Sequence, residues 1–281
     1  MAFYKFDSLE LLNDSKEEWR IRVRAQTLWK GINRQTGEIR GYNVIFCDDY
    51  GSKIHAFIAV NLVPKFEPIL KEGEIYIVEM FNVKTYNGDE TNRPIRNEKH
   101  IYFLNEMEMQ KDVIPGLQIP AFSFDFYDLE ECDCLKDDNH FLTDMIGVIE
   151  DVHPRANYNK DGEDKSHVAL TITNGRTTIN VTLFNQFGDS FLQQYENMKE
   201  RPVIIIIACG KVSEWKNVIY ITNFPATRIY LNVDHTVVSG MRLRYAKSEF
   251  YIMDMDEEDD CIEVPTMKVN ELIKLNESFV L

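Results

Sequence analysis

Long apolar runs are missing from this 281-residue sequence. None approaches the roughly 18 residues that a membrane-crossing helix needs. The longest, VIIIIAC at 203–209, reads as a fully buried strand. The N-terminal MAFYKFDSLE mixes charge with aromatics and has no apolar stretch of the kind a signal peptide carries. Cysteine is scarce and scattered: Cys47, Cys132, Cys134, Cys209 and Cys261. Only Cys132 and Cys134 are close, and their C-x-C spacing has no second pair, which argues against a zinc site. Free thiols fit a reducing compartment, so the expected location is the nucleus or the cytosol.

Signatures of catalysis are also missing. There is no Gly-rich phosphate loop, no G-x-S-x-G, no H-E-x-x-H and no His/Cys ligand set. Asp48 and Asp49 are adjacent, so on a strand they would point to opposite faces and could not act as a paired acid and base. They read as turn residues. The expectation is a protein that is not an enzyme and uses neither cofactor nor metal.

An excess of positive charge is the last absence. The net charge of −15 counts against a nucleic-acid partner until it is divided along the chain. Residues 1–110 and 141–234 each carry a net charge of only −2, whereas 111–140 carries −6 and 235–281 carries −5. Most of the acidity lies in FDFYDLEECDCLKDD (124–138) and MDMDEEDD (253–260). Runs of this kind read as solvated linkers or tails, and they offer places for protein partners.

What is present is a repeat. Residues 43–66 and 167–191 share an alternating strand, a polar turn ending in glycine (Gly51, Gly175), a second alternating strand and a segment closing on phenylalanine (Phe66, Phe191). The flanks repeat as well. WRIRVRAQTLWK (19–30) and TDMIGVIEDVHPR (143–155) precede the two copies, and GEIYIVEMFNVKTYNGD (73–89) and RPVIIIIACGKVSEWKN (201–217) come after them. The two glycines are about 124 residues apart, far more than in solenoid or propeller repeats. The pattern implies a duplicated, mainly all-β domain in which each copy is a small five-stranded barrel with short capping helices.

The expected organisation is a first barrel at 1–110, a connector at 111–140, a second barrel at 141–234, and a helix (236–250) with an acidic tail at 235–281. The connector holds Pro115 and Pro120 and reads as extended. Residues 154–166, PRANYNKDGEDKS, read as a mobile solvent-facing loop.

Strand parity assigns the faces. In the first strand Ile21 and Val23 point inward, and Arg20, Arg22 and Arg24 outward. In the second copy Ile179, Val181 and Leu183 form an apolar row, leaving Thr178, Asn180, Thr182 and Phe184 opposite. One strand later Lys211, Ser213 and Trp215 share a face, with Trp215 at a hairpin tip beside Lys216 and Asn217. Exposed aromatics next to cations suit stacking on bases and neutralising phosphates. The structural alternative is that Phe184 and Trp215 seal the barrel ends. In the first copy Ile54, Ala56, Ile58 and Val60 form the apolar row, with His55, Phe57 and Ala59 opposite. Lys84 and Tyr86 align with Ser213 and Trp215. Trp29, with Lys30 and Arg34, falls in the loop after the first strand. For Trp29 and Tyr86 rim packing is an equal alternative, and His55 reads as a solvated strand residue.

These residues resemble the tandem DNA-binding barrels of the replication protein A large subunit, particularly its plant forms. The motifs are W-x-I-x-V-R at 19–24, D-x-x-G-x-K-I-H-A at 48–56, KF and EG within 65–73, FDFYDLEE at 124–131, DMIGVI at 144–149, VTLF at 181–184, KVSEW at 211–215 and N-x-D at 232–234. They are collinear from about residue 5 to 250. The resemblance implies two tandem OB-folds that bind single-stranded DNA with little sequence preference, in replication, repair, recombination or telomere maintenance. It places stacking aromatics at Phe184 and Trp215 and basic contacts at Lys211, Lys84 and Lys165; beside these, Arg155 and Arg176 are expected to help hold phosphates.

The first copy departs from the family. Its first stacking position holds Ala59 and the second falls near Asn92 or Arg93, so Phe57, with Tyr86 and Trp29, is the substitute candidate. The family's N-terminal interaction barrel and its third barrel, with a four-cysteine zinc site and trimerisation helix, have no counterpart here. Assembly into the usual heterotrimer is therefore not supported. Two alternatives stand beside single-stranded DNA: RNA as ligand, and a protein-interaction scaffold with a degenerate first site.

Overall fold

The computed structural model describes residues 5–254 except 17, 34–35, 89, 113–118, 139 and 161, with side chains through residue 247. Arg34, Pro115 and the acidic tail beyond Asp254 lie outside the described residues.

Alternating sequence produces two curled sheets. The first contains β1 (Arg20–Ile32), β2 (Ile39–Cys47), β3 (Lys53–Ala59), β4 (Ile75–Glu79), β5 (Asn82–Thr85), β6 (Lys99–Tyr102) and β7 (Glu108–Lys111), with a short helix α1 (Val63–Phe66) after β3. Its spatial order is β5-β6-β3-β2-β1-β4-β7. β4 and β5 are the halves of one strand bent at Met80, which takes φ 60°, and the bend closes the ring.

The second sheet begins with β8 (Phe126–Tyr127), followed by helix α2 (Cys132–Leu135). Then come β9 (Thr143–Val152), β10 (Ala156–Lys160), β11 (Glu163–Thr173), β12 (Thr178–Phe184), helix α3 (Gln186–Asn197), β13 (Ile204–Trp215), β14 (Val218–Thr222), β15 (Arg228–Leu231) and helix α4 (Thr236–Asp254). β11 pairs with both β12 and β9, which closes this barrel. Both copies contain the same parallel pair, β3 with β6 and β12 with β14, flanked by antiparallel pairs; in the second sheet β8 also lies parallel to β9. The same five-stranded topology is therefore built twice.

The repeat's landmarks do equivalent work in both copies. Gly51 and Gly175 sit at φ 83° and 90°, a turn conformation that side chains resist. Phe66 and Phe191, on the helices after β3 and β12, are fully buried plugs of their respective cores. Truncating either ring to alanine would cost about 3–5 kcal/mol through the cavity left behind. Asp48 is the turn residue its sequence implies: its carboxylate accepts the N–H groups of Tyr50 and Ser52. It also accepts the Leu9 N–H at 3.0 Å and so ties the N-terminal segment to the barrel.

Several expectations change. Val60 does not continue the buried row of Ile54, Ala56 and Ile58, because the chain leaves β3 at Ala59 and turns through a 3-10 segment that exposes it. Residues 154–166 are not an open loop. β10 and the start of β11 pair from Ala156–His167 to Lys160–Glu163, making a hairpin with Gly162 at φ 80°. The outward Arg22 is covered: Asp112 forms a buried ion pair with it at 2.7 Å. Arg24 donates to the carbonyls of Ile119 and Pro120, and Gln26 donates to that of Ser123, so this part of the acidic connector lies along β1. Farther on, Leu129, Cys132 and Leu135 enter the second core rather than solvent.

The barrels meet across a packed seam. Ile45, Ile95 and Trp29 of the first contact Leu142, Cys209, Ala226 and Phe224 of the second. Lys53 and Asp144, both almost fully buried, pair at 3.3 Å, and Asp144 also accepts the N–H groups of Cys209 and Asp125. Arg228 makes a two-pronged pair with Glu72 and donates to the Leu28 carbonyl.

Candidate nucleic-acid interface

The outer surface of the parallel pair differs between the barrels. In the first, β3 and β6 bring His55 beside His100 and Phe57 beside Tyr102. In the second, β12 and β14 place Asn180 beside Tyr220 and Thr182 beside Thr222. One surface is floored with rings; the other is floored mainly with small polar side chains and carries its rings at the ends.

In the first barrel the rings form a continuous row. Trp29 stacks on His55 at 5.6 Å with 17° between planes, and His55 lies parallel to Tyr86 at 6.0 Å. His100 lies 4.3 Å from Tyr86 and 5.5 Å from Tyr102, which is 5.5 Å from Phe57. The backbone allows this at Gly41, where an added Cβ would come within 2.9 Å of the Phe57 ring. Trp29 is not in a loop, since β1 runs on to Ile32 and holds it at the Asn43 level of β2. Nor is His55 solvated. Its Nδ1 meets the Tyr86 hydroxyl, and its Nε2 is 3.0 Å from Asn43 Oδ1. Because the Asn43 oxygen only accepts, Nε2 carries the proton and Nδ1 accepts from Tyr86.

Burial, reinforced by His100, pulls the His55 pKa down to about 3. Burial, with Lys84 and Arg93 nearby, lowers that of His100 to about 4. Burial raises that of Tyr86. At neutral pH this row is therefore uncharged, and its cations sit above it. Lys84 is exposed on β5, with its ammonium 4.3 Å over the Tyr102 ring. Phe57, Tyr86 and Trp29 are all half-buried and share this surface.

In the second barrel Phe184 ends β12 half-buried, beside His167 of β11 at 6.2 Å. Tyr158 of β10 lies 5.6 Å beyond His167, so the β10–β11 hairpin extends the aromatic line. Trp215 is 64% exposed at the β13–β14 tip, with the Lys216 ammonium 4.3 Å over its ring. Lys216 and Asn217 adopt φ 52° and 61°, the twist that a two-residue hairpin requires. Trp215 and Tyr86 therefore differ in role: one is a free-standing tip, the other a hydrogen-bonded member of a packed row. Lys211 lies on β13 opposite Thr222, on the Trp215 side of the strand. Lys165 pairs with Tyr158 across the hairpin and has Glu163 at 3.1 Å. Arg155 is held by Asp189 at 2.6 Å, which anchors the hairpin to α3. Arg155, Tyr158 and Lys165 border a cleft of about 750 Å³. Arg176 is not brought to it; it sits in the β11–β12 turn, at the opposite end of β12 from Phe184.

Parity in KHIY (99–102) and VIYIT (218–222) could have revealed His100, Tyr102 and Tyr220, each alternating with buried or half-buried isoleucine. Nothing local signals that Asn43, His55 and Tyr86 form one hydrogen-bonded group.

A family described as a domain of unknown function, DUF223, matches residues 10–137, less than half of the chain. No curated protein matches the sequence. Among solved structures, a chain of a replication protein A heterotrimer bound to ssDNA is similar at 18% identity with a TM-score of 0.58, over 88% of this chain and 56% of that one. This chain thus spans little more than half of that relative. The p204 HINb domain matches at 6% identity and TM-score 0.41 (78% of this chain, 100% of that one), and the OB domain of Ta0387 from Thermoplasma acidophilum at 15% and 0.29 (40% and 89%). At 18% identity the first of these similarities establishes the fold alone: a mainly β chain of tandem OB-type barrels.

Proposed function

We propose that this protein binds single-stranded nucleic acid, DNA in preference to RNA, through the outer surfaces of both barrels and without catalysis. The observation that carries the reading is the placement of rings and cations. Each barrel holds aromatic side chains on its β3–β6 or β12–β14 surface or at the rim, with lysines beside them. Among the described residues, no set suited to bond-breaking chemistry accompanies them. Bases would stack on Phe57, Tyr102 and Trp29 in the region within 1–110, and on Phe184 and Trp215 within 141–234. Each good stack contributes roughly 1–3 kcal/mol. Lys84, Lys165 and Lys211 would meet phosphates, with Arg155 after release from Asp189. Work in replication, repair or recombination in the nucleus is the setting that fits such a ligand.

Polarisation titration of labelled oligo-dT, oligo-rU and duplex at several salt concentrations tests the proposal. The expected order is oligo-dT tightest, with affinity falling as salt rises. Absence of binding to every probe at low salt would overturn it and favour a protein-interaction scaffold.

A further inference from the structure

At the seam, aromatic and guanidinium groups alternate. Arg93 lies 4.8 Å from the Tyr86 ring centre and 5.3 Å from that of Phe141. Arg96 lies 5.1 Å from the Phe141 ring centre and 4.8 Å from that of Tyr127. Tyr86, Arg93 and Arg96 belong to the β5–β6 loop of the first barrel; Tyr127 and Phe141 belong to the second sheet and the segment leading into it. Backbone bonds hold the ladder together, since Arg93 N–H donates to the His140 carbonyl and Leu142 N–H to that of Arg93, at 2.7 and 2.8 Å. At its first-barrel end the ladder joins the ring row through the Tyr86–His55 stack.

A guanidinium held over ring faces is positioned without using its N–H donors, which remain in its plane and suit a two-pronged bond to a phosphate. Arg93 uses part of its plane on the carbonyls of Glu90 and Asn87, at 3.3 and 3.4 Å. Arg96 is exposed, and its partner Asp138 is 3.8 Å away, a surface pair that contributes little. Arg96 also borders a hollow of about 310 Å³ whose carboxylates are engaged, Glu10 by Ser52 and Asp125 by Lys53.

We infer that Arg96, positioned by the ladder, is a phosphodiester-binding site that carries a single strand from one barrel to the other. The inference rests on the single-strand reading above and adds a contact that only a ligand spanning the seam would make. The test uses the full chain, Arg96→Gln and Arg96→Lys, with oligo-dT of about 24 and about 6 nucleotides, lengths that engage both barrels or one. Circular dichroism checks the fold.

For the long probe, Arg96→Gln is expected to lower the slope of log affinity against log salt by about 0.7, the share of one phosphate on a single strand. The short probe should bind unchanged, and Arg96→Lys should restore the slope. An unchanged long-probe slope, or equal losses for both probes, overturns the inference and leaves the single-strand reading standing. If the unmodified protein binds neither probe at low salt, both fall.

Discussion

The two barrels share a topology and differ in where they put their rings. The first has His55, Phe57, His100 and Tyr102 across the parallel pair; the second has Asn180, Thr182, Tyr220 and Thr222 there and places Phe184, Trp215 and Tyr158 at the margins. A packed aromatic floor is rigid and internally bonded, as the His55–Tyr86–Asn43 group shows. Marginal rings such as Trp215 are free to meet a ligand. The two copies share the barrel and differ at the surface, which is expected when the core is constrained by close packing and the outer face is not.

The contrast is tested most severely at the seam. Asp144→Ala leaves the buried Lys53 with only the exposed Asp125 as a partner and strips an acceptor from the Cys209 N–H. A loss of about 3–5 kcal/mol is expected. Urea denaturation followed by probes in each barrel would show it, and a change below about 1 kcal/mol would mean that the barrels do not depend on one another.

Next come the stacking surfaces. Phe184→Ala/Trp215→Ala and Phe57→Ala/Tyr102→Ala each remove two rings, at roughly 1–3 kcal/mol of oligo-dT affinity per ring. Comparable losses would make both barrels binding surfaces; a loss confined to the first pair would restrict binding to the second barrel. Intact affinity in both folded double variants would refute the site.

Tyr86→Phe is a smaller change, leaving the buried His55 Nδ1 without its donor. Its stability cost is about 1–3 kcal/mol, measurable by thermal melting. The corresponding Trp215→Phe, at an exposed tip, should leave stability within experimental error.

Near neutrality pH should matter least. His55 and His100 have folded-state pKa values of about 3 and about 4, below the ordinary value of 6.5. The unfolded chain therefore takes up protons first as pH falls. The stabilisation from neutral histidines is complete above about pH 6.5 and is lost progressively from there toward about 4 and 3. Melts between about pH 7 and 8 should coincide, and melts below about 6 should decline. Replacing the pair with the residues of the second barrel, His55→Asn/His100→Tyr, should flatten the acid limb; an unchanged limb would assign it elsewhere.

Much of the fold is legible in local patterns. Alternation in KIHAFIA and TINVTLF marks inward and outward faces, because a strand's period of two holds wherever one face is buried. The hairpin at 156–167 escapes such a reading because its polar composition resembles a loop; pairing of Tyr158 with Lys165 is a property of the neighbouring strand. His55 escapes it for the same reason. On its own strand it belongs to the outward row, and it is covered by Trp29 and His100 from other strands and by Tyr86 from the β5–β6 loop.

Local sequence was enough to specify two barrels, their turns at Gly51 and Gly175, their plugs at Phe66 and Phe191, and candidate rings and lysines on the outward faces. Each of those features depends on residues a few positions apart. Which rings are stacked, which stand free, and how the barrels meet emerge only in three dimensions. Arg228 and Glu72 are 156 positions apart, and Lys53 and Asp144 are 91 apart. Contacts at such separations exist only after each barrel has closed and the seam has excluded water, so no local pattern could announce them.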